Sequence, residues 1–232
     1  LVWARMNSID DNLKRVRERI AIAAEESGRS HEEIHLVAVT KTVAVEAIQE
    51  AISCGVTVIG ENRVQEALAK YPHVKGSISW HLVGHLQRNK VKKALQIFDL
   101  IHSLDSFRLA EEISRRSQEL KRQTDVLVQV NTSGEDSKFG MAPHEAIPFL
   151  ESLATLEGIR ALGLMTIGTF SPDPERVRPC FIKLRGIFEQ AKGLQIPNVE
   201  MRFLSMGMTN DFPEAIREGA NMVRIGTAIF RG

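Results

Sequence analysis

Apolar residues open the chain at helical spacing, at Ile9, Leu13, Val16, Ile20 and Ala23, with Ser8 placed to cap that helix and Gly28 to stop it. After Gly28 the rhythm changes. Short β-rich runs recur at His35 to Thr40, Val56 to Gly60, Ser79 to Val83, Leu100 to Ser103, Asp125 to Val130, Arg160 to Thr166, Met201 to Ser205 and Met222 to Ile225. Helical spacing returns between them, most clearly at Phe107, Ala110, Ile113, Ser117 and Leu120, and again at Val177, Phe181, Leu184, Phe188 and Ala191. Gly55, Gly158, Gly193 and Gly219 each follow a helical stretch and precede a strand, where a left-handed residue is wanted.

Alternating strands and helices imply parallel strands joined by right-handed crossovers, in an open doubly wound sheet or a closed barrel. Eight such units within 232 residues favour the closed form. The expected fold is therefore α/β, a single (β/α)8 TIM-type barrel with an extra N-terminal helix, spanning residues 6–232. Leu1 to Arg5 precede Met6 and read as an expression scar or an upstream extension.

Composition narrows the function classes. With 30 basic against 29 acidic residues, the chain has no strong field to gather nucleic acid or an anionic membrane. No run approaches the roughly 18 apolar residues of a membrane helix, and no signal-peptide pattern opens the chain, so the expected location is cytoplasmic. Cys54 and Cys180 lack metal or redox spacing and read as reduced thiols.

In such a barrel the chemistry sits at the C-terminal ends of the strands, so polar residues just past an apolar run carry the information. Lys41 ends the first run. An amine there can act as a nucleophile if desolvation favours its neutral form, although a solvated lysine after a strand has the same sequence. Ser205-Met206-Gly207-Met208-Thr209 follows the seventh run and Arg224-Ile225-Gly226-Thr227 ends the eighth. Barrels often bind phosphate at these two loops, where glycines admit an anion and hydroxyls add donors. An ordinary glycine turn is the alternative for either loop alone. Asn210 or Asp211 can cap a helix starting near Pro213.

Arg224 keeps its proton, so it would meet an aromatic nitrogen as an acceptor; a structural ion pair with a barrel carboxylate fits its position equally well. Glu61, Asn62, His81 and His85 are candidates for the site wall, and Asn131 and Lys138 occupy the loop after the fifth run. His81 and His85 are four apart on a strand and its loop, which is not metal geometry. Arg88, Lys90, Lys92 and Lys93 form a small basic cluster that reads as a solvated face.

Taken together, the motifs resemble the pyridoxal phosphate homeostasis protein family. The resemblance runs through Ala38-Val39-Thr40-Lys41-Thr42, Gly60-Glu61-Asn62, Trp80-His81, Gly84-His85-Leu86-Gln87, His102-Ser103-Leu104-Asp105, Gln129-Val130-Asn131-Thr132, Lys138-Phe139-Gly140, Gly163-Leu164-Met165-Thr166, Ser205-Met206-Gly207-Met208 and Arg224-Ile225-Gly226-Thr227. It implies pyridoxal 5′-phosphate as the cofactor, held as a Schiff base on Lys41. Ser205, Met206, Gly207, Gly226 and Thr227 would lie at the phosphate, Arg224 at the pyridine nitrogen and Asn62 beside the ring. Arg63 stands where the family usually has an aromatic, and Thr209 where it has serine.

The family looks like the barrel half of alanine racemases, whose second domain helps supply a tyrosine base. Tyr71, the single tyrosine, falls at the wrong end of the barrel for that role. Three functions are therefore weighed. The first is a monomeric, non-catalytic carrier that passes the cofactor to apo-enzymes, and the second is a cofactor-dependent amino-acid enzyme such as a weak racemase. The third is a phosphate-binding barrel without the cofactor, such as a Schiff-base aldolase, and the aldolase fits poorly with a lysine on the first strand.

Overall fold

The computed structural model describes residues 8–135, 137–171 and 173–231, and its eight strands close in sequence order into a parallel barrel. Residues 1–5, read as a scar or extension, lie outside the described residues. The strands are β1 (His35–Val39), β2 (Val58–Glu61), β3 (Ser79–Leu82), β4 (Leu100–Leu104), β5 (Thr124–Gln129), β6 (Ile159–Met165), β7 (Val199–Ser205) and β8 (Met222–Ile225). The expected runs and the observed strands coincide to within two or three residues at each end. β8 returns to β1 with Val37 opposite Arg224 and Ala38 opposite Ile225, which closes the ring.

The first helix, α1 (Ile9–Glu26), starts where Ser8 accepts a hydrogen bond from the Asp11 amide and ends before Gly28, whose φ is +70°. Its buried face, Leu13, Val16, Ile20, Ala23 and Ala24, packs with the outer core; each large aliphatic group there contributes roughly 1.5–3 kcal/mol. Asn12 Nδ2 donates to the Ile229 carbonyl at 2.9 Å and ties this helix to the turn at residues 227–230. The other helices are α2 (Val45–Ser53), α3 (Val64–Lys70), α4 (Val91–Ala94), α5 (Phe107–Glu119), α6 (Ala146–Leu153), α7 (Pro174–Lys192), α8 (Phe212–Arg217) and α9 (Thr227–Phe230). None of the described helices is long and apolar enough to cross a membrane.

Of the four glycines expected to end helices in a left-handed turn, Gly55 and Gly219 do so, with φ of +84° and +102°. Gly193 has φ −75°, and the left-handed residues of its connection are Gln195 and Asn198. Gly158 answers a different demand. A Cβ there would lie 2.2 Å from the Ser114 carbonyl oxygen, so the strand entrance needs a residue without a side chain.

Two cores result. Residues pointing outward from the strands join the helices in one large cluster, while Val37, Val83, Leu100, Leu127, Leu162, Met165 and Met222 pack inside the barrel. The interior is a packed core at its N-terminal end, and a cavity opens at the other.

Candidate functional site

A cavity of about 600 Å³ occupies the C-terminal mouth, within the usual range for small-molecule sites. Lys41 reaches it by strand alternation. Val37 and Val39 face the barrel interior, so the next residue of that set, Lys41, projects into the cavity. The lysine is exposed on the wall.

Behind Lys41 the chain is held by charge. Thr42 has φ +60°, uncommon for a β-branched residue, and its amide donates to Glu66 Oε1 at 2.6 Å. Lys70 Nζ gathers Glu66, Glu61 and the Thr40 carbonyl, each at 2.7 Å. Burial pushes the Glu66 carboxyl up, but Lys70 and the Thr42 amide outweigh it and hold it below the usual carboxylate range. Glu61 sits in this outer buttress, fully buried and raised by desolvation, with Oε2 unpartnered. It is therefore not part of the cavity wall. Asn62, one residue on and of opposite parity, does line the cavity.

Arg224 is buried to 4% exposure, yet it borders the cavity floor. Its Nη1 donates to Ser205 Oγ at 2.6 Å and its Nη2 to the Thr166 carbonyl at 2.7 Å. Burial lowers the guanidinium to about 10, a fall that Asp211 opposes. Among the described residues it forms no ion pair within 4 Å, so the structural-pair alternative is not what the fold builds. Ser205 Oγ lies 3.2 Å from His102 Nδ1, and His102 Nε2 lies 3.0 Å from His81 Nδ1. Burial depresses both histidines, His81 to about 3, so both are neutral in ordinary buffers.

The loop after β7 sets the residues expected at the phosphate at different depths. Ser205 and Met206 are both fully buried and border no part of the cavity, Ser205 inside the barrel and Met206 in the outer core. Gly207 is a turn residue with φ +91°, and a Cβ on it would sit 2.6 Å from Ala215 Cβ, so it serves packing onto α8. Met208, Thr209, Asn210 and Asp211 form the wall instead. Opposite them stand Gly226 and Thr227; the Ala228 amide points to Thr209 Oγ1 at 3.5 Å. Asp211 precedes α8 as expected but makes no side-chain cap, because its Oδ1 accepts from the Met208 amide at 2.5 Å.

Around the rim, His85 stacks on Phe139 with centroids 4.2 Å apart and its Nδ1 lies 3.4 Å from Asp105. Phe170 also lines the mouth and is 84% exposed. Asn131 and Lys138, both expected near the site, organise the loop after β5; Lys138 Nζ bonds Glu135 at 2.7 Å and the Gly168 carbonyl at 2.9 Å. Phe139, Phe170 and Gln129 were not singled out as wall residues from sequence. The signal for His102 was a polar residue inside an otherwise apolar strand. No cluster of three metal-ligating side chains occurs among the described residues.

The chain matches the family model described as alanine racemase, N-terminal domain, over residues 7–232. It is 44% identical over 221 residues to the pyridoxal phosphate homeostasis protein of Aquifex aeolicus, covering 95% of this chain and 96% of that one. The barrel superposes with TM-score 0.93 on an unknown protein from Bifidobacterium adolescentis, at 41% identity and covering 99% and 97% of the two chains. It superposes with TM-score 0.83 on PipY of Synechococcus elongatus with pyridoxal phosphate bound, at 33% identity and covering 96% and 100%.

Proposed function

Because this chain belongs to the pyridoxal phosphate homeostasis family, built on the alanine racemase N-terminal fold, we propose that its barrel mouth holds pyridoxal 5′-phosphate and that the protein keeps and distributes it. The observation that carries this reading is the convergence of an amine, a buried guanidinium and two facing loops on one cavity. The donor set fits the cofactor. Lys41 Nζ is the attachment point for an aldehyde, and Arg224 offers N–H donors to a ring nitrogen that carries no proton. Asn62 borders the ring. In this reading Thr209, Gly226 and Thr227, with the amides of residues 208–211, receive the phosphate, and Ser205 and Met206 lie buried behind them.

When bound, this cofactor supplies an electron sink for carbanions, and a cationic donor at the ring nitrogen weakens that sink because it cannot deliver a proton. The chain's own residues supply little else for turnover. Tyr71 packs on Trp80 with centroids 5.3 Å apart at the N-terminal end of β3, remote from the mouth, and serves no base role there. The arrangement supports retention without catalysis, and the setting we propose for it is a cytoplasmic monomer open to PLP-dependent apo-enzymes. The family relatives are named for homeostasis, not for a reaction.

The test is the visible spectrum of the purified protein with and without Lys41. Yellow wild type, bleached by borohydride and colourless as Lys41→Ala, is expected. Labelling that persists at another lysine, with Lys138 the next suspect, overturns the assignment. Transfer is tested by mixing loaded protein with a cofactor-free aminotransferase; retained colour and no recovered activity over hours would leave storage, not distribution, as the function.

A further inference from the structure

We propose that His102 and His81 are positioning residues for Arg224. A directional hydrogen-bond chain through Ser205 fixes which guanidinium N–H groups face the cavity, and so selects a ring that presents a bare nitrogen acceptor. The ligand half of this inference rests on the pyridoxal phosphate reading; the chain itself does not.

Its direction follows from counting donors. Arginine has donors alone, so at 2.6 Å Ser205 Oγ must accept from Arg224. The Ser205 hydroxyl proton then points to its other neighbour, His102 Nδ1 at 3.2 Å, which makes that nitrogen an acceptor. His102 therefore carries its proton on Nε2 and donates to His81 Nδ1 at 3.0 Å. His81 in turn carries its proton on Nε2. One permanent charge thus sets the tautomer of two imidazoles, and a second proton on His102 would take away the acceptor of the Ser205 hydroxyl proton.

Every member is enclosed. His102 and Ser205 have no exposed surface and His81 is 6% exposed, so no solvent competes for these bonds. With Nη1 fixed by this chain and Nη2 by the Thr166 carbonyl, the guanidinium plane cannot rotate, and its remaining donors meet the cavity in one orientation. A protonated ring nitrogen would face donors and be rejected. A C–H in its place would leave a charged donor unanswered. If the chain is cut at His102, the serine proton is free to turn, the guanidinium loosens, and discrimination between rings falls.

The experiment has two arms. The first records nitrogen NMR of the histidine rings in wild-type protein without added cofactor; His81 and His102 are expected as neutral Nε2–H tautomers. An Nδ1–H tautomer or an imidazolium at His102 near neutral pH overturns the chain. The second compares binding of pyridoxal phosphate with its carbocyclic analogue, in which C–H replaces the ring nitrogen, using absorbance and borohydride trapping.

Wild type should prefer the natural ring by about tenfold or more, as befits a hydrogen bond from a charged donor. His102→Leu and Ser205→Ala should each narrow that preference severalfold. His102→Gln, which can accept from Ser205 and donate to His81, should restore it. Equal preference in wild type and in the cut chains refutes the positioning role. If His102→Leu does not fold, Ser205→Ala against His102→Gln decides. A protein with the expected tautomers that binds neither ring refutes the cofactor reading, and ring selectivity with it.

Discussion

Gly207→Ala puts a single methyl group where the fold has least room for one. The residue has φ +91°, and the added Cβ would lie 2.6 Å from Ala215 Cβ and 2.9 Å from Phe212 Cα, part of the α8 backbone. The loop cannot step aside freely, because the Gly207 carbonyl accepts from the Arg224 amide at 3.0 Å. A left-handed backbone costs a non-glycine residue about 1–2 kcal/mol, and overpacking adds about 1–3 kcal/mol, so a loss near 3 kcal/mol is expected. For a chain of this size that lowers Tm by roughly 6–12 °C. Two other glycines calibrate the measurement. Gly134→Ala meets nothing within 4 Å at φ +73° and should lose about 1 kcal/mol from the backbone alone. Gly186→Ala, in open space on α7, should gain roughly 0.5–1 kcal/mol from helix propensity. Thermal and urea unfolding followed by circular dichroism rank the three. A Gly207→Ala midpoint no lower than that of Gly134→Ala would refute the packing argument.

Acid should destabilise the fold through the buried histidines: the native pKa of His81 lies near 3, so between about pH 6.5 and pH 3 the unfolded chain binds the extra proton. His81 alone then removes about 1.4 kcal/mol per pH unit across that window, and a flat stability between pH 6 and 4 would contradict its burial as a neutral ring. Arg224→Gln relieves a buried charge that desolvation disfavours, gives up the two hydrogen bonds to Ser205 Oγ and the Thr166 carbonyl and leaves a small void, effects that oppose one another. Tm should move by no more than a few degrees while cofactor affinity falls at least about tenfold; a large drop in Tm would make the guanidinium structural. Glu66→Ala frees the Thr42 amide and one arm of Lys70, which should cost about 1–2 kcal/mol and slow borohydride-trappable attachment at Lys41. Unchanged trapping and unchanged Tm would show that the buttress does not orient the lysine.

Much of this molecule is legible in its sequence because strand alternation and helical spacing survive in the three-dimensional fold. All eight expected runs became strands in the expected order. Lys41, Asn62, Arg224, Gly226 and Thr227, chosen as polar or small residues at strand ends, line one cavity. The depth of Ser205 and Met206 is something no single sequence displays. The register shifts between β6 and β7, and Ser205 pairs with Met165 and Met222 inside the barrel, deeper than its place at the end of an apolar run suggests. Phe139 and Phe170 lie in loops without periodicity, so nothing in their spacing marks them as rim residues. Only tertiary structure shows that Glu61, Glu66 and Lys70 gather behind the backbone on either side of Lys41.

Depth along each strand connects the fold to the site. On β1 the inward set runs Val37, Val39, Lys41, and on β8 it runs Met222, Arg224, Gly226, each passing from packed interior towards the open mouth in steps of two residues. On β3 and β4 the middle step is His81 and His102, level with the polar floor beneath the cavity. The apolar residues at the N-terminal end fill the barrel as such interiors usually are, and the middle layer is given over to a hydrogen-bonded polar set. A one-residue slip of β8 would turn Ile225 inward and carry Arg224 out to the helices, exchanging a cavity-facing charge for one stranded in the outer core. The alternation that closes the barrel therefore also aims the guanidinium, and register errors in β8 should be punished twice, once in packing and once in the loss of the donor that faces the cavity.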